Sequence, residues 1–543
     1  MTDVKNMETI DIETGVVVIG GGPTGIKAAL ETADMGYPVT VCDKSAFETD
    51  GRNLPHGNAM KCASDAITTL YEKAKAHKNI TLKANANVSC VCGVAGDFTV
   101  KFAGEKENAV KAGAIVVASD CGVKPLNAAY GVELSGTILS QSDMEARIEK
   151  EAAGFTGKTI CFLMGFGQIG NPIVFERVLK SVKKIQDAGK STIYVMVGDL
   201  KVALDGLDRL YKETRDNGAI FFKMHDAPKV TAGDKTKVQF KDPVILRDVE
   251  IAADYLVVEE AILPDTANEA LAGLMRISFG TDGYLQPDNF HFFPVRSNRE
   301  GIYLVGPSRD VVTLPAAFTD AENVALEIKS FLKDGKVTVP ADKAEVDRGK
   351  CVICLTCYRA CPHGAIYWDE RAIISKVACQ ACGICSSECP MDAIQIGACT
   401  DDALTAAIKE AASTPAEGVK ILAFCCENSA YEAAEMAKSF GMALPAGLKL
   451  IKTPCAGKMD TQSIMLALAE GADGVLVMTC HNGNCKSEKG NVFAGFRVND
   501  AKRMLEEAGI EKERVKKISI ASNMGKSFAD EVLKMEAEIK ALG

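Results

Sequence analysis

The 543-residue sequence has no apolar run approaching the roughly 18 residues that span a bilayer. Its longest runs, residues 16–19 and 474–478, are strand-sized, so any membrane contact would come through a partner. There is no basic surplus either: 62 Lys and Arg stand against 72 Asp and Glu, a net charge of −10. That balance argues against nucleic acid as ligand, because phosphate binding needs a concentrated basic face. The lysine-rich stretch 180–190 reads as a solvated helix face. Residues 1–12 are acidic and lack an apolar signal core, which points to a reducing cytoplasm. Histidine is scarce. His56, His77, His225, His291 and His363 form no ligand or triad pattern and read as satisfied or surface side chains. No acid–base dyad or nucleophile stands out, so no catalytic side chain is named.

Cysteine, by contrast, is abundant, with twenty residues, and in a reducing compartment these suggest ligands and free thiols rather than disulfides. Eight of them form two copies of one pattern: Cys351-x-x-Cys354-x-x-Cys357-x-x-x-Cys361-Pro362 and Cys379-x-x-Cys382-x-x-Cys385-x-x-x-Cys389-Pro390. Three thiolates of such a run wrap a [4Fe-4S] cube, and the fourth serves the other cluster. The spacing therefore assigns Cys351, Cys354, Cys357 and Cys389 to one cubane, and Cys379, Cys382, Cys385 and Cys361 to its twin. Zinc also accepts C-x-x-C pairs, but it does not explain the doubled three-plus-one spacing.

The length predicts three or four domains at about 150 residues each. Strand-then-helix patterns recur: a buried strand over 15–20, a helix over 25–35 and a strand over 38–42. A second unit opens with a strand over 158–164 and a helical stretch through Lys190, with further strands at 192–197 and 254–258. The chain returns to the first unit at 301–306, closes it with an amphipathic helix over 316–332, and continues into a charged linker over 333–348. Strands at 419–424, 448–451, 474–478 and 515–520, with helices between, predict a compact parallel sheet. The expected fold class is α/β multidomain. Residues 1–345 form an FAD-binding region, with a first Rossmann unit over 12–150 and 290–335 and an inserted second α/β lobe over 155–289. Residues 346–400 form a 2[4Fe-4S] ferredoxin domain, and residues 401–543 a C-terminal α/β [2Fe-2S] domain.

Gly20-x-Gly22-x-x-Gly25 joins a predicted strand to a helix and is followed by Asp43 after the next strand. The glycines allow a tight turn and close approach to a pyrophosphate, the helix N-terminus favours its charge, and Asp43 can accept from a ribose 2′-hydroxyl. An adenine dinucleotide is implied. FAD is preferred over NAD because of Gly301-Ile-Tyr-Leu-Val-Gly306, which resembles the late flavin-binding strand of two-dinucleotide flavoproteins. Pro307 replaces the usual acid after that glycine, leaving Asp310 as the ribityl or phosphate-side contact. A second motif, Gly165-Phe-Gly167-Gln-Ile-Gly170, reads either as a nicotinamide dinucleotide site or as a packing turn. No clear acid or arginine cluster stands where a ribose reader is expected, and Asn171-Pro172 is an unusual helix start.

Further cysteines follow three strands of the C-terminal sheet: Cys425 and Cys426, then Cys455, then Cys480 and Cys485. Residues past the carboxyl ends of parallel strands meet at one crevice. Cys426, Cys455, Cys480 and Cys485 are the candidate [2Fe-2S] ligands, with Cys425 turned to the core and zinc the rival metal. His481 is a candidate ligand or tuning donor. Cys42, Cys62, Cys90, Cys92, Cys121, Cys161 and Cys399 read as small buried hydrophobes, Cys90 and Cys92 having no nearby partner pair. Trp368 reads as packing between cluster lobes.

With these motifs in view, the chain resembles the HdrA family, the FAD and iron–sulfur subunit of heterodisulfide reductases, and its relatives in quinone-interacting (Qmo) complexes. Its C-terminal region resembles MvhD, an electron-relay [2Fe-2S] protein. Besides the cofactor motifs, residues 79–100, Pro454-Cys-Ala-Gly and 471–485 carry the resemblance. Three departures accompany it. HdrA-type chains commonly carry an additional N-terminal domain and another cluster site, where this sequence offers only Cys62. Phe424-Cys-Cys-Glu-Asn-Ser429 places Ser429 where MvhD-like chains have a second cysteine. Residues 171–182 replace the family's cysteine-rich middle stretch. The resemblance implies an electron-transfer subunit of a cytoplasmic Hdr-like or Qmo-like oxidoreductase complex. It would convert two-electron flavin chemistry to one-electron cluster chemistry, with flavin-based bifurcation as an extension. Its partners would be other redox subunits: Hdr-like or Qmo-like chains, a hydrogenase, a dehydrogenase or a reductase. The alternative is a self-sufficient NAD(P)H-dependent flavin and iron–sulfur oxidoreductase.

Overall fold

The computed structural model describes residues 6–47, 61–104, 109–415 and 417–542, without the side chains of 61–66. His56 and the Cys62 side chain lie outside the described residues. No helix among the described residues is long and apolar enough to cross a membrane.

The strand Val16–Ile19 is buried at every position, the pattern of a parallel strand covered on both faces. It lies in a five-stranded parallel sheet in the order Ile302–Leu304, Ala114–Val117, Val16–Ile19, Val39–Cys42, Ile80–Lys83. The late strand Ile302–Leu304 thus returns to the first unit, and the helix Leu314–Leu332 packs on the helix Pro23–Asp34. Alternation divides the sheet's side chains between two layers. Val16, Val18, Val39 and Val41 face the two helices, whereas Val17, Ile19, Ile115 and Val117 join a core that also contains Cys357, Cys361, Cys379 and Cys385. The cysteine-rich unit is therefore built onto the first sheet rather than tethered to it.

A ribbon of two antiparallel strands, Cys121–Pro125 and Glu260–Pro264, links this sheet to the inserted lobe. The lobe holds a second parallel sheet in the order Ile138–Ser140, Tyr255–Val258, Thr159–Met164, Thr192–Val197, Ile220–Lys223. Its helices are fixed by a buried charge network. Arg177 donates to Glu145 from Nε at 2.8 Å and Nη2 at 3.0 Å, and its Nη1 lies 2.9 Å from Glu260. The C-terminal sheet is parallel throughout, in the order Leu448–Thr453, Ile421–Cys426, Gly474–Thr479, Val515–Ser519.

Several expectations are corrected. Residues 333–348 are not a linker: Lys336–Pro340 pairs antiparallel with Met7–Asp11, and Ala344–Val346 pairs with Ile394–Ile396. Lys336 and Thr338 alternate with Val337 and Val339, which pack inward, so a strand is hidden in a polar stretch. Cys90 and Cys92 are half-buried and exposed, and they are bonded to each other. Residues i and i+2 of a strand share a face, and a register shift between Val88 and Cys90 bends this one. Trp368 is 47% exposed and meets Tyr358 edge-on at 4.8 Å instead of filling a gap between lobes.

Replacing Arg177 by Ala leaves buried Glu260 and half-buried Glu145 without their cation. A loss of about 3–5 kcal/mol is expected for the inserted lobe, read as increased hydrogen exchange across residues 138–262 relative to the C-terminal sheet.

Candidate functional site

The first glycine turn is shaped by backbone contacts that no side chain would permit. Gly20 adopts φ +112°, and a Cβ on it would stand 2.1 Å from the Ala118 carbonyl oxygen; one on Gly25 would stand 2.0 Å from the Gly20 oxygen. Gly22 is the residue before the helix, with Pro23 opening it. Asp43, just past the second strand, accepts from the Gly21 amide at 2.6 Å and from the Ser45 amide and hydroxyl at 2.8 and 2.7 Å. Tyr71 donates to the Gly21 carbonyl.

Beside this turn lies a cavity of about 750 Å³. Gly20 and Asp43 line it, with Asn87 and Val88 on one side, Ser119, Asp120 and Cys121 on another, and a wall from Leu263 to Leu274 opposite. Lys44 closes the rim on Asp265 at 2.7 Å. An extended dinucleotide fits such a cleft in size and in its polar turn. Gly306 and Asp310 stand outside it. Gly306 packs on Thr24 and donates to Asp320 at 2.9 Å, while Asp310 accepts from the Val311 amide at 2.7 Å. Asp320 also takes both forks of Arg309 at 2.8 Å, so it organises the late turn. Cys42 and Cys121, read from sequence as buried hydrophobes, both line the cavity; burial pushes each thiol up to about 12. Asp320 and the Leu263–Leu274 wall carried no motif.

Two small cavities lie in the cysteine-rich unit. One is lined by Cys351, Cys354, Cys357 and Cys389, the other by Cys361, Cys379, Cys382 and Cys385. Each set joins three cysteines of one run to the last of the other. Burial pushes Cys357 up to about 11 and Cys382 up to about 12, whereas hydrogen bonds with Thr356 lower Cys354. His363 is neither on the surface nor satisfied. It is buried in the second cavity with its Nε2 unpartnered, and burial lowers it to about 4.

Neighbouring units clamp these loops. Asn298 donates to the Pro362 carbonyl at 3.0 Å, and Arg276 to those of Tyr358 and Cys361 at 2.8 and 3.2 Å. Buried Arg299 reaches the carbonyls of Met275, Gly93 and Gly364. On the other side, Lys458 is fully buried, pairs with Asp401 and approaches the Ser386 hydroxyl at 3.4 Å. Arg497 holds Glu388.

In the C-terminal sheet, Cys426 ends one strand, and Cys455 and Cys480 lie just past two others. Cys426 and Cys480 have sulfurs 3.7 Å apart, and Cys455 and Cys485 complete a ring of contacting thiols. Donation from Cys455 and Cys480 holds Cys426 and Cys485 below the ordinary thiol value. Cys425 turns to the opposite layer. Ser429 accepts from the Cys480 thiol at 3.4 Å, and Asn491 holds the loop through the Cys480 carbonyl at 3.1 Å. This ring abuts the second cavity, since Cys382 and Cys455 belong to one packed cluster with Ile384. Among the described residues no three His, Cys, Asp or Glu side chains close around a single-ion point.

The second glycine turn is different. Glu259, the first residue beyond the strand Tyr255–Val258, accepts from the amides of Gly165, Phe166 and Gly167 at 2.9, 3.2 and 2.9 Å. Gln168 Nε2 and the Tyr130 hydroxyl donate to the same carboxylate at 3.2 and 2.6 Å. An acid does stand beyond the lobe's next strand, contrary to the sequence reading: Asp199, paired with Lys201 at 3.1 Å.

The description "Pyridine nucleotide-disulphide oxidoreductase" matches residues 14–323, "4Fe-4S binding domain" residues 344–367, and "Methyl-viologen-reducing hydrogenase, delta subunit" residues 421–543. The HdrA-type chain of the ferredoxin:CoB-CoM heterodisulfide reductase of Methanosarcina mazei is 22% identical, covering 97% of this chain and 80% of its own. The small iron-sulfur chain of the F420-non-reducing hydrogenase of Archaeoglobus profundus is 37% identical over 123 residues, 23% of this chain and 90% of its own. A solved thioredoxin reductase from T. acidophilum is 17% identical, covers 59% of this chain and 99% of its own, and has a TM-score of 0.39. The chain thus belongs to the pyridine nucleotide-disulphide oxidoreductase family, in an HdrA-like form that continues into a hydrogenase delta-type domain.

Proposed function

We propose that this oxidoreductase is the electron-transfer flavin and iron–sulfur subunit of a heterodisulfide-reductase-like complex. The observation that carries the reading is the sequence of cysteine sites: two four-thiol cavities side by side, the second packed through Cys382 on Cys455 of the third. When bound, FAD supplies two-electron chemistry and the clusters one-electron steps.

The chain's own residues provide position and insulation. Gly20, Gly22 and Gly25 would admit the pyrophosphate and Asp43 the adenosine ribose, with Gly306 supporting the helix turn behind them. Asp310 does not line the cavity, and its Oδ1 accepts from the Val311 amide. Cys351, Cys354, Cys357 and Cys389 would hold one [4Fe-4S] cluster, and Cys379, Cys382, Cys385 and Cys361 the other. Cys426, Cys455, Cys480 and Cys485 would hold a [2Fe-2S] cluster. Arg276, Arg299 and Asn298 fix the turn after Cys361, so the spacing between flavin cavity and thiols does not drift. Partners would be other redox subunits, which supply and collect the electrons.

Anaerobic reconstitution tests the composition: about ten irons and one FAD per chain are expected, with signals from both cubane and rhombic clusters. A chain that refuses flavin or binds iron at only one place would overturn the reading. Cys389→Ser is expected to remove one cubane, that of the Cys351 run, and to leave the Cys379 run's cluster visible by electron paramagnetic resonance. Gly490→Ala would set a Cβ 2.3 Å from the Cys455 sulfur. It is expected to deplete the rhombic signal while both cubanes persist.

A further inference from the structure

A turn of backbone amides after a strand is an anion receptor, and its donors need acceptors whether or not a ligand is present. In the inserted lobe that acceptor is part of the chain. Glu259 is 1% exposed, and its carboxylate collects five donors: Tyr130, Phe166 and Gly167 on Oε1, Gly165 and Gln168 on Oε2. A carboxylate buried at this depth is tolerable only when so surrounded. We propose that Glu259 is a built-in phosphate mimic that occupies the dinucleotide turn of the second lobe and so determines that this lobe takes no nicotinamide dinucleotide.

The rest of the receptor is in place. The turn follows a central parallel strand, a helix opens at Pro172, and Asp199 stands past the next strand where a ribose would lie. The glycines keep the close approach such a turn needs: a Cβ on Gly170 would come 2.7 Å from the Asp199 carbonyl oxygen, and one on Gly198 2.2 Å from that of Gly165. What differs from the first lobe is the residue just beyond the neighbouring strand. There it is Ala118, which carries no charge, and the first turn borders a cavity with its Gly21 amide on Asp43; here it is Glu259, which takes the three amides of Gly165, Phe166 and Gly167. A pyrophosphate entering the second turn would meet a fixed negative charge and amides already bonded. Glu260 anchors the same segment to Arg177 and Ser142, so the carboxylate of Glu259 is held in register and does not swing out.

This role of Glu259 stands apart from the electron relay, because it concerns a lobe that the relay does not use. The test compares the full-length holoprotein with its Glu259→Ala variant, titrated separately with inorganic pyrophosphate and with NADH by calorimetry. The wild-type chain is expected to show no saturable heat, and the variant an affinity gain of about tenfold or more for both probes. A variant with unchanged flavin and iron content and no gain overturns the proposal, and so does a wild-type chain that binds NADH as tightly as the variant. Should the variant fail to fold, hydrogen exchange in the wild-type chain decides. The Gly165–Gly167 amides are expected to be protected like strand amides, and exchange as fast as an exposed loop overturns the proposal.

Discussion

Everything in this molecule depends on burying cysteine loops that have little hydrocarbon of their own. The unit over residues 346–400 has short strands and one-turn helices, too little to form an independent core. It borrows one. On one side its thiols share a core with Val17, Ile19, Ile115 and Val117 of the first sheet; on the other, Cys382 and Ile384 pack on Cys455. The contacts that stabilise the loops are also those that bring the cofactor cavities close together, so stability and electron transfer draw on the same seams.

Buried cations serve the backbone and carboxylates at those seams, while His363 Nε2 stays unpartnered. Arg299 is buried, and burial with Arg276 nearby lowers it to about 10, yet it directs its donors to three backbone carbonyls from three segments. On the far side, buried Lys458 pairs with the Asp401 carboxylate. Backbone carbonyls released by irregular cluster loops would otherwise be costly to bury. The cations therefore hold these loops in a way that a hydrophobic residue of similar volume could not.

The two glycine turns show how one local motif serves two ends. Both follow parallel strands, and both need glycine for close backbone approach. One turn borders a cavity and gives its Gly21 amide to Asp43, and the other closes three amides on Glu259. The difference lies in a residue about ninety positions downstream of the second turn, on another strand, which no reading of the motif alone could weigh.

The grouping of residues is legible in the sequence wherever spacing along the chain equals geometry: the doubled cysteine runs, the glycine turn with Asp43, and the cysteines at successive strand ends. Local backbone rules suffice there, because ligand and turn geometry are set within a few residues. Tertiary contacts settled what depends on distant partners. They turned residues 333–348 into strands, because Val337 and Val339 find a core only in the fold. They buried His363 beside four thiols and filled the second turn with Glu259. In each case the outcome rests on which group satisfies a buried donor or face, and that is fixed only when segments far apart in sequence meet.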